Sequence, residues 1–452
     1  MDYPHFEVCR LGGGMLVAVV SIVHVVIAHL AVGAGLFLAV GHTRAVRRKD
    51  ELLLDFLRRY SQYLIMIPFV AGAVTGVGIW VTIGLVGPSA TSALIHFFVW
   101  GWAMEWVFFI VEIVAGYVYF YGWGRLTPGR QAAVAWIYFV GAFMSLFLIN
   151  GIITFMLTPG DWKPPGEQAA ADVQTAFWKA LFNPSFWPSL LLRTISCLAF
   201  AGISVAVVAN FVRDYTREER QRLINFGSYW LAPFGLMVPF AIWYFATLPA
   251  GSRQFAMGGA IAMTLFMAFG LVSSLYIGGY AYFGLIRRKR YINRETALLL
   301  FAVAFVATGA MEFVREGVRK PYLIHGYMYS NGGLASAQWR EQVRREGILK
   351  HAPFAYPAEM TLEQVRALPY AHQRGQYVYN AQCRACHEPE GTNAIGPLIN
   401  RASRELVTQM TAELDHLKGY MPPFAGTPQE MSDLVEYELY LANPKTYVPR
   451  KN

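Results

Sequence analysis

A chain of 452 residues that is 55% hydrophobic and only 15% charged carries too little charge for a protein wholly surrounded by water, where about a quarter of residues are charged. The formal net charge of +9 would suit a nucleic-acid binder. However, the basic residues crowd into short segments between apolar runs, which is how membrane proteins fix their orientation, so no nucleic-acid partner is expected. There are four cysteines, and only two lie close together, which excludes a readable disulfide framework; Cys9 and Cys197 are expected to be unremarkable small residues.

In chain order, about eight apolar runs reach the roughly 20 residues that cross a bilayer as a helix. They lie near 13–42, 60–86, 92–123, 131–157, 186–212, 226–248, 256–286 and 295–315. The predicted fold class is all-α: a polytopic transmembrane bundle of about eight spans followed by a small all-α domain. The first run, about Gly12 to Val40, is flanked by Arg44, Arg47, Arg48 and Lys49. It is too long for the apolar core of a cleavable signal and reads as a retained span. Pro68, Pro233 and Pro239 fall inside runs, which membrane helices tolerate when neighbours satisfy the freed backbone groups.

The connections alternate in charge. Basic residues fill the first (Arg44 to Arg59), third (Arg125, Arg130), fifth (Arg213 to Arg222) and seventh (Arg287 to Arg294), while the even ones hold only Lys163, Lys179 and Arg253. By the positive-inside rule the odd connections are cytoplasmic, which puts both termini on the periplasmic or equivalent outer face of a bacterial inner membrane. The longest outer connection, about 158–185, contains the polar stretch Pro159 to Gly166.

The apolar pattern stops near Gly317. The expected organisation is a membrane domain over 1–325, a polar linker over 326–370 with a possible amphipathic helix from Ala337 to Glu346, and a compact helical domain over 371–452. In that last domain Cys383-Arg-Ala-Cys386-His387 matches the attachment motif of haem c. Two thiols about a helical turn apart add to the two haem vinyl groups, and the adjacent His supplies the proximal iron ligand. A zinc site would need a second Cys/His pair at metal spacing, and there is none.

The surroundings of that motif resemble the class I cytochrome c family over about 371–443. Gly375 and Tyr379 stand where the family's first helix packs on its last, here Met431 to Leu441. Gly396-Pro397 stands where the family's Pro contacts the proximal His. Tyr420-Met421-Pro-Pro-Phe424 is similar to the segment presenting the distal Met. The resemblance implies one covalent haem c with His387 and Met421 as axial ligands, Met410 and Met431 being rivals for the distal place. His/Met ligation suits electron transfer.

Ionisable residues inside a span are costly and mark function by default. His24 and His29 fall mid-span in the first run, with His24 about eleven residues in, or roughly 16 Å at 1.5 Å per residue. Glu105 and Glu112 are two turns apart on one face of the third. Arg193 sits near the outer end of the fifth. Glu312, Arg315 and Glu316 close the eighth, and His96 opens the third near the same surface. Each also has a structural reading: His29 as a hydrogen-bonded core histidine, His96 as a hydrated interfacial one, Glu105 and Glu112 as a structural or proton-conducting pair, Glu316 as a carboxylate paired with Arg315 or Arg319. If the His24 and Glu316 readings fail, His29 and His96 are the remaining candidates to ligate haem iron.

Several segments of 1–325 together resemble subunit I of the cytochrome bd oxidase superfamily. These are Ser21-Ile-Val-His24 with Gly33 nine residues on, Val74-Thr75-Gly76, Glu112 followed by Tyr121-Gly-Trp-Gly-Arg-Leu126, and Glu316-Gly-Val-Arg-Lys-Pro-Tyr322. The resemblance implies that His24 and Glu316 ligate high-spin b-type haems and that Glu112 belongs to the proton or haem-site machinery. Glu105 lies one residue from where the family's other third-helix Glu falls. Three features depart from the family. Arg193 stands where the low-spin haem's His belongs, and being always protonated it cannot bind iron but can pair with a propionate. Met263 is at best a loose counterpart of that haem's Met ligand. The long quinol-binding loop is replaced by Leu248 to Gln254.

The functional expectation is a respiratory oxidoreductase subunit that moves electrons between haem c and membrane haems b, with dioxygen as a candidate acceptor. It would sit in lipid with other subunits, a second membrane subunit among them, and exchange electrons with cytochrome c or quinol. The alternatives are a non-catalytic wiring or anchoring subunit, and a quinol–cytochrome c oxidoreductase with an altered quinol site.

Overall fold

The computed structural model describes Val8, residues 10–164 and residues 173–451; Cys9 and the end of the polar stretch that closes at Gly166 lie outside the described residues. Among the described residues eight helices are long and apolar enough to cross a membrane: α1 (Gly13–Arg48), α2 (Glu51–Val86), α3 (Val99–Tyr121), α4 (Pro128–Leu157), α5 (Phe186–Phe211), α6 (Arg217–Thr247), α7 (Ile261–Arg287) and α8 (Arg294–Arg319). At 1.5 Å per residue even the 23-residue α3 spans the roughly 30 Å hydrocarbon layer. The protein is a multi-pass membrane protein.

Chain punctuation sets several helix starts. Thr127 caps α4 ahead of Pro128, which stands in the first turn where its missing N–H costs nothing. Thr216 opens α6 in a reciprocal arrangement with Glu219, which satisfies two N–H groups that would otherwise be orphaned. The third expected span, 92–123, is instead two helices, Pro88–Phe97 and α3, broken at Phe98. Phe98 is fully buried against Phe155 and Phe177, so packing rather than hydropathy sets the break. The Tyr121 to Leu126 segment is the turn after α3. Leu126 N donates to Gly122 O at 2.8 Å, and Gly124 has φ +75°, a conformation that favours glycine.

The chain divides into two compact units. The larger comprises Ser21–Val77 and Phe98–Val318. Its core is centred on Phe37, whose ring meets Phe56, Tyr60, Phe226 and Trp230. The basic connections meet one another: Arg222 pairs with Asp50 at 2.6 Å, Arg59 with Asp214 at 3.1 Å, and Gln221 Nε2 donates to Lys289 O at 3.1 Å. The first, fifth and seventh connections therefore share one face, as their charge pattern predicts.

The second unit gathers residues through Val20, Gly78–Phe97 and Arg319 onward. A two-stranded antiparallel ribbon, β1 (Tyr322–Ile324) and β2 (Met328–Tyr329), follows α8. Then come α9 (Ala337–Glu346), α10 (Ala371–Gln382), α11 (Arg404–Ala412) and α12 (Pro428–Ala442). The stretch expected as a linker, 326–370, is folded. Val343, Ile348, Leu349, Ala352, Ala355 and Val365 share one apolar core with Val378, Tyr379 and Leu434. Glu430 holds it there, because its carboxylate accepts from the backbone N–H groups of Ile348 and Leu349 at 2.9 and 3.2 Å. Polar composition concealed this, since the segment contributes few apolar residues and is anchored through backbone amides.

Candidate haem sites

Around Cys383 the chain makes one tight turn at the end of α10. Cys386 N and His387 N both donate to Cys383 O, at 3.0 and 2.9 Å, so the two thiols and the imidazole leave a single helical turn together. Both cysteines are free. His387 Nδ1 lies 3.0 Å from the Asn393 carbonyl, and Asn393 in turn donates to Cys386 O. This places the ring proton on Nδ1 and leaves Nε2 as the lone-pair nitrogen. Burial also lowers the His387 pKa, with the Asn393 contact opposing it, which favours the neutral form that ligates iron. The donor set fits a covalent haem. The carbonyl that meets the His387 ring, Asn393 O, lies three residues before Gly396-Pro397. Gly396 packs on the end of α12, where an added Cβ would meet Leu441 O at 2.4 Å.

Helices α10 and α12 meet as expected. A Cβ on Gly375 would stand 1.9 Å from Asp433 O, the Tyr379 and Tyr437 rings are 5.3 Å apart, and Arg374 makes a buried two-pronged ion pair with Asp433 at 2.7 and 2.8 Å. The Met421 segment is tied to the motif by Gln382 Nε2, which donates to Pro423 O at 2.9 Å. Met410 packs against the cluster of Ile399, Val407 and Val435, and Met431 is half-buried. The residue after the proximal His, Glu388, is 6% exposed. It accepts from Gly13 N at 3.2 Å, and Thr392 N donates to Arg10 O at 3.2 Å, so the motif loop is fastened to the first turn of α1. The carboxylate favours that end of the helix dipole.

In the membrane unit His24 Nδ1 lies 3.1 Å from Thr75 Oγ1. The Thr75 hydroxyl donates to Ala71 O at 2.7 Å, so toward His24 it acts as acceptor, and His24 carries its proton on Nδ1. Its Nε2 is left with the lone pair a metal needs. Gly76 makes room for the ring: a Cβ there would meet His24 Cε1 at 3.1 Å. Gly33 is required by a closer approach, since a Cβ would lie 1.9 Å from Cys197 O of α5. These residues fit a haem-ligating histidine.

Glu105 accepts from Ser145 Oγ at 2.7 Å. Glu112 stands where α3 and α4 touch, its backbone N 2.9 Å from a Cβ placed on Gly141, and it is hydrogen-bonded by Tyr138. Arg193 is engaged by protein. Its Nη2 lies 2.9 Å from Glu312 Oε1, whose other oxygen binds Arg315 Nε at 2.6 Å. Among the described residues Arg193 Nε has no hydrogen-bond partner, so one donor stays available to an anionic group. His29 is 4% exposed, and its ring stacks on Phe200 at 6.4 Å. Glu316 is half-buried beside Arg315. The next residue, Gly317, leaves space for Met263, whose Sδ would be 2.3 Å from an added Cβ. Met263 itself is buried among Leu157, Leu248, Ala256, Val314 and Val318. His96 is exposed. The partners Ser145, Tyr138 and Asn393 carry no signal in the sequence, and the pairings of Glu312 with Arg193 and of Thr75 with His24 emerge only from the structure. For Thr75 the signal was present, as the middle residue of Val74-Thr75-Gly76.

An apolar helical bundle with a poised intramembrane histidine, joined to a domain with two free thiols and a poised histidine, defines a multi-pass haem-binding electron-transfer protein. Residues 14–241, about half of the chain, match the family described as cytochrome bd terminal oxidase subunit I, and the chain belongs to that family. Residues 371–437 match the family described as cytochrome c oxidase, cbb3-type, subunit III. Among curated proteins it is similar to two from Bacillus subtilis. One, a putative cytochrome bd menaquinol oxidase subunit I, is 26% identical over 206 residues, 45% of each chain. The other, a cytochrome bd ubiquinol oxidase subunit 1, is 27% identical over 202 residues, 41% of this chain and 40% of that one. The matched part thus spans less than half the length of these relatives. The fold is similar to the bd oxidase structure from Geobacillus thermodenitrificans, with TM-score 0.59 and 16% identity over 73% of this chain and 92% of that chain.

Proposed function

We propose that this protein is an electron-transferring oxidoreductase subunit of a respiratory membrane complex. In this reading Cys383, Cys386, His387 and Met421 would hold one covalent haem c, and His24 and Glu316 would hold b-type haems at which dioxygen would be reduced. Haem supplies a one-electron couple and, where the iron keeps an open position, a place for a small molecule. The observation that carries the reading is the matched state of His24 and His387: each has Nδ1 committed, to Thr75 and Asn393 respectively, and Nε2 left for iron.

The chain's own residues would do the rest. Glu105 with Ser145, and Glu112 with Tyr138, hold protons inside the membrane beside the reacting site. Arg193, fixed by Glu312, offers its Nε to a propionate. The haem c domain and both termini would lie on the outer face. The α6–α7 connection holds only the short helix Ala250–Ala256, which favours a cytochrome c or a sister subunit over quinol as donor. A wiring subunit with fully ligated haems is the second reading, favoured by His29, a buried histidine inside a span that would supply a further ligand.

The test is haem content. His24→Ala should remove or shift non-covalent haem in a pyridine assay and Glu316→Gln should perturb a high-spin signal, with the covalent haem c band intact in both. Full b-type haem with unaltered spectra in both variants would overturn the assignment.

A further inference from the structure

On the reading that Cys383 and Cys386 carry haem c, one carboxylate of that domain stands out. Glu438, on α12, is 3% exposed. Its Oε2 lies 3.0 Å from Thr411 Oγ1, and the same hydroxyl lies 2.8 Å from Val407 O. A hydroxyl has one proton and two lone pairs, so this pair can satisfy both states of the acid. An ionised Glu438 accepts from Thr411, whereas a protonated Glu438 donates to Thr411, which then donates to Val407.

The groups facing it are few. From α10 comes Tyr379 and from the turn after it Cys383, both within its electrostatic reach. From α11 comes Thr411. The short helix Gly396–Ile399 offers nothing titratable. The neighbouring charges are matched elsewhere: Arg374 by Asp433, Arg404 and Arg450 by Glu436, Arg384 by Glu388. Burial raises the Glu438 carboxyl to about 7, and the Thr411 hydroxyl opposes it. The acid therefore lies within electrostatic reach of the thiol that would bear the haem, and any charge placed on that haem would act on it through a medium of low dielectric.

We propose that Glu438 is a redox-linked proton site of the haem c domain. When the ferric iron takes one electron from a one-electron donor, the Glu438 carboxylate takes one proton from solvent and becomes a carboxylic acid. Oxidation returns the electron to an acceptor and the proton to solvent. The net charge of the buried pair is unchanged across the step, and the potential of the domain becomes dependent on pH.

The test is a redox titration of the c-type band in the whole detergent-solubilised protein across the pH range around neutrality. The reduction equilibrium should fall with rising pH, approaching tenfold per pH unit, which is about 59 mV for a one-electron couple. Glu438→Gln should raise the potential and flatten that slope. Thr411→Val, which removes the donor to the carboxylate, should move the sloping range to higher pH. Redox-difference infrared spectra of the unaltered protein near neutral pH should lose a protonated carboxyl band on oxidation. A flat profile in the unaltered protein, or an unchanged slope in Glu438→Gln with haem attached, would overturn the proposal. If Glu438→Gln fails to mature, an unshifted slope in Thr411→Val or the absence of the infrared band does so. A lack of haem stain on a denaturing gel of the unaltered protein would instead overturn the haem c reading beneath it.

Discussion

A histidine binds iron only through an unprotonated nitrogen, so the partner of the other nitrogen decides its chemistry. At His387 that partner, Asn393, is six residues away; at His24 it is Thr75, 51 residues away. The difference explains what was legible. Cys383, Cys386 and His387 sit in one turn, so their chemistry is written in adjacent letters. The Thr75–His24 contact, like the Arg193–Glu312 pair, joins separate spans, so the sequence marks the residues but not their pairing. Thr75 is also where a small change tests the membrane site. Loss of an orienting partner typically costs 10–100-fold in metal affinity or activity. Thr75→Val should therefore lower non-covalent haem occupancy at limiting haem, and Thr75→Ser should restore it, both read by the pyridine assay. Equal occupancy in all three proteins would remove Thr75 from the site.

At the scale of elements, the eight apolar runs announce eight helices because burying twenty apolar residues in lipid leaves little alternative. The breaks are less legible: Phe98 interrupts an apolar run by packing against Phe155 and Phe177. The small ribbon β1–β2 is too short to show a period. In the haem c domain α10 and α12 are clasped by Arg374 and Asp433, whose side chains are 5% and 4% exposed. Removing one partner of a buried pair strands the other charge, at about 3–5 kcal/mol, whereas replacing both with apolar residues of similar size costs far less. Asp433→Ala should lower the thermal midpoint of the haem c band sharply, and the double change Arg374→Met with Asp433→Leu should recover most of the loss. A double variant as unstable as the single one would show that the clasp acts through something other than its charges.

For the whole molecule, the proposed function requires an electron path between the haem c domain and haems held by the membrane helices. The motif loop is fastened to the first turn of α1 through Glu388 and Gly13, and His24 lies eleven residues further along the same helix. A terminal oxidase reading needs iron with an open position somewhere on that path; a wiring reading needs none. The most direct measurement is a reduced-minus-oxidised absorption spectrum of the purified protein with and without carbon monoxide. An oxidase with open b-type haems predicts a c-type band indifferent to carbon monoxide and a b-type signal that carbon monoxide shifts, with the shift weakened in His24→Ala or Glu316→Gln. A protein whose bands all ignore carbon monoxide would contradict it.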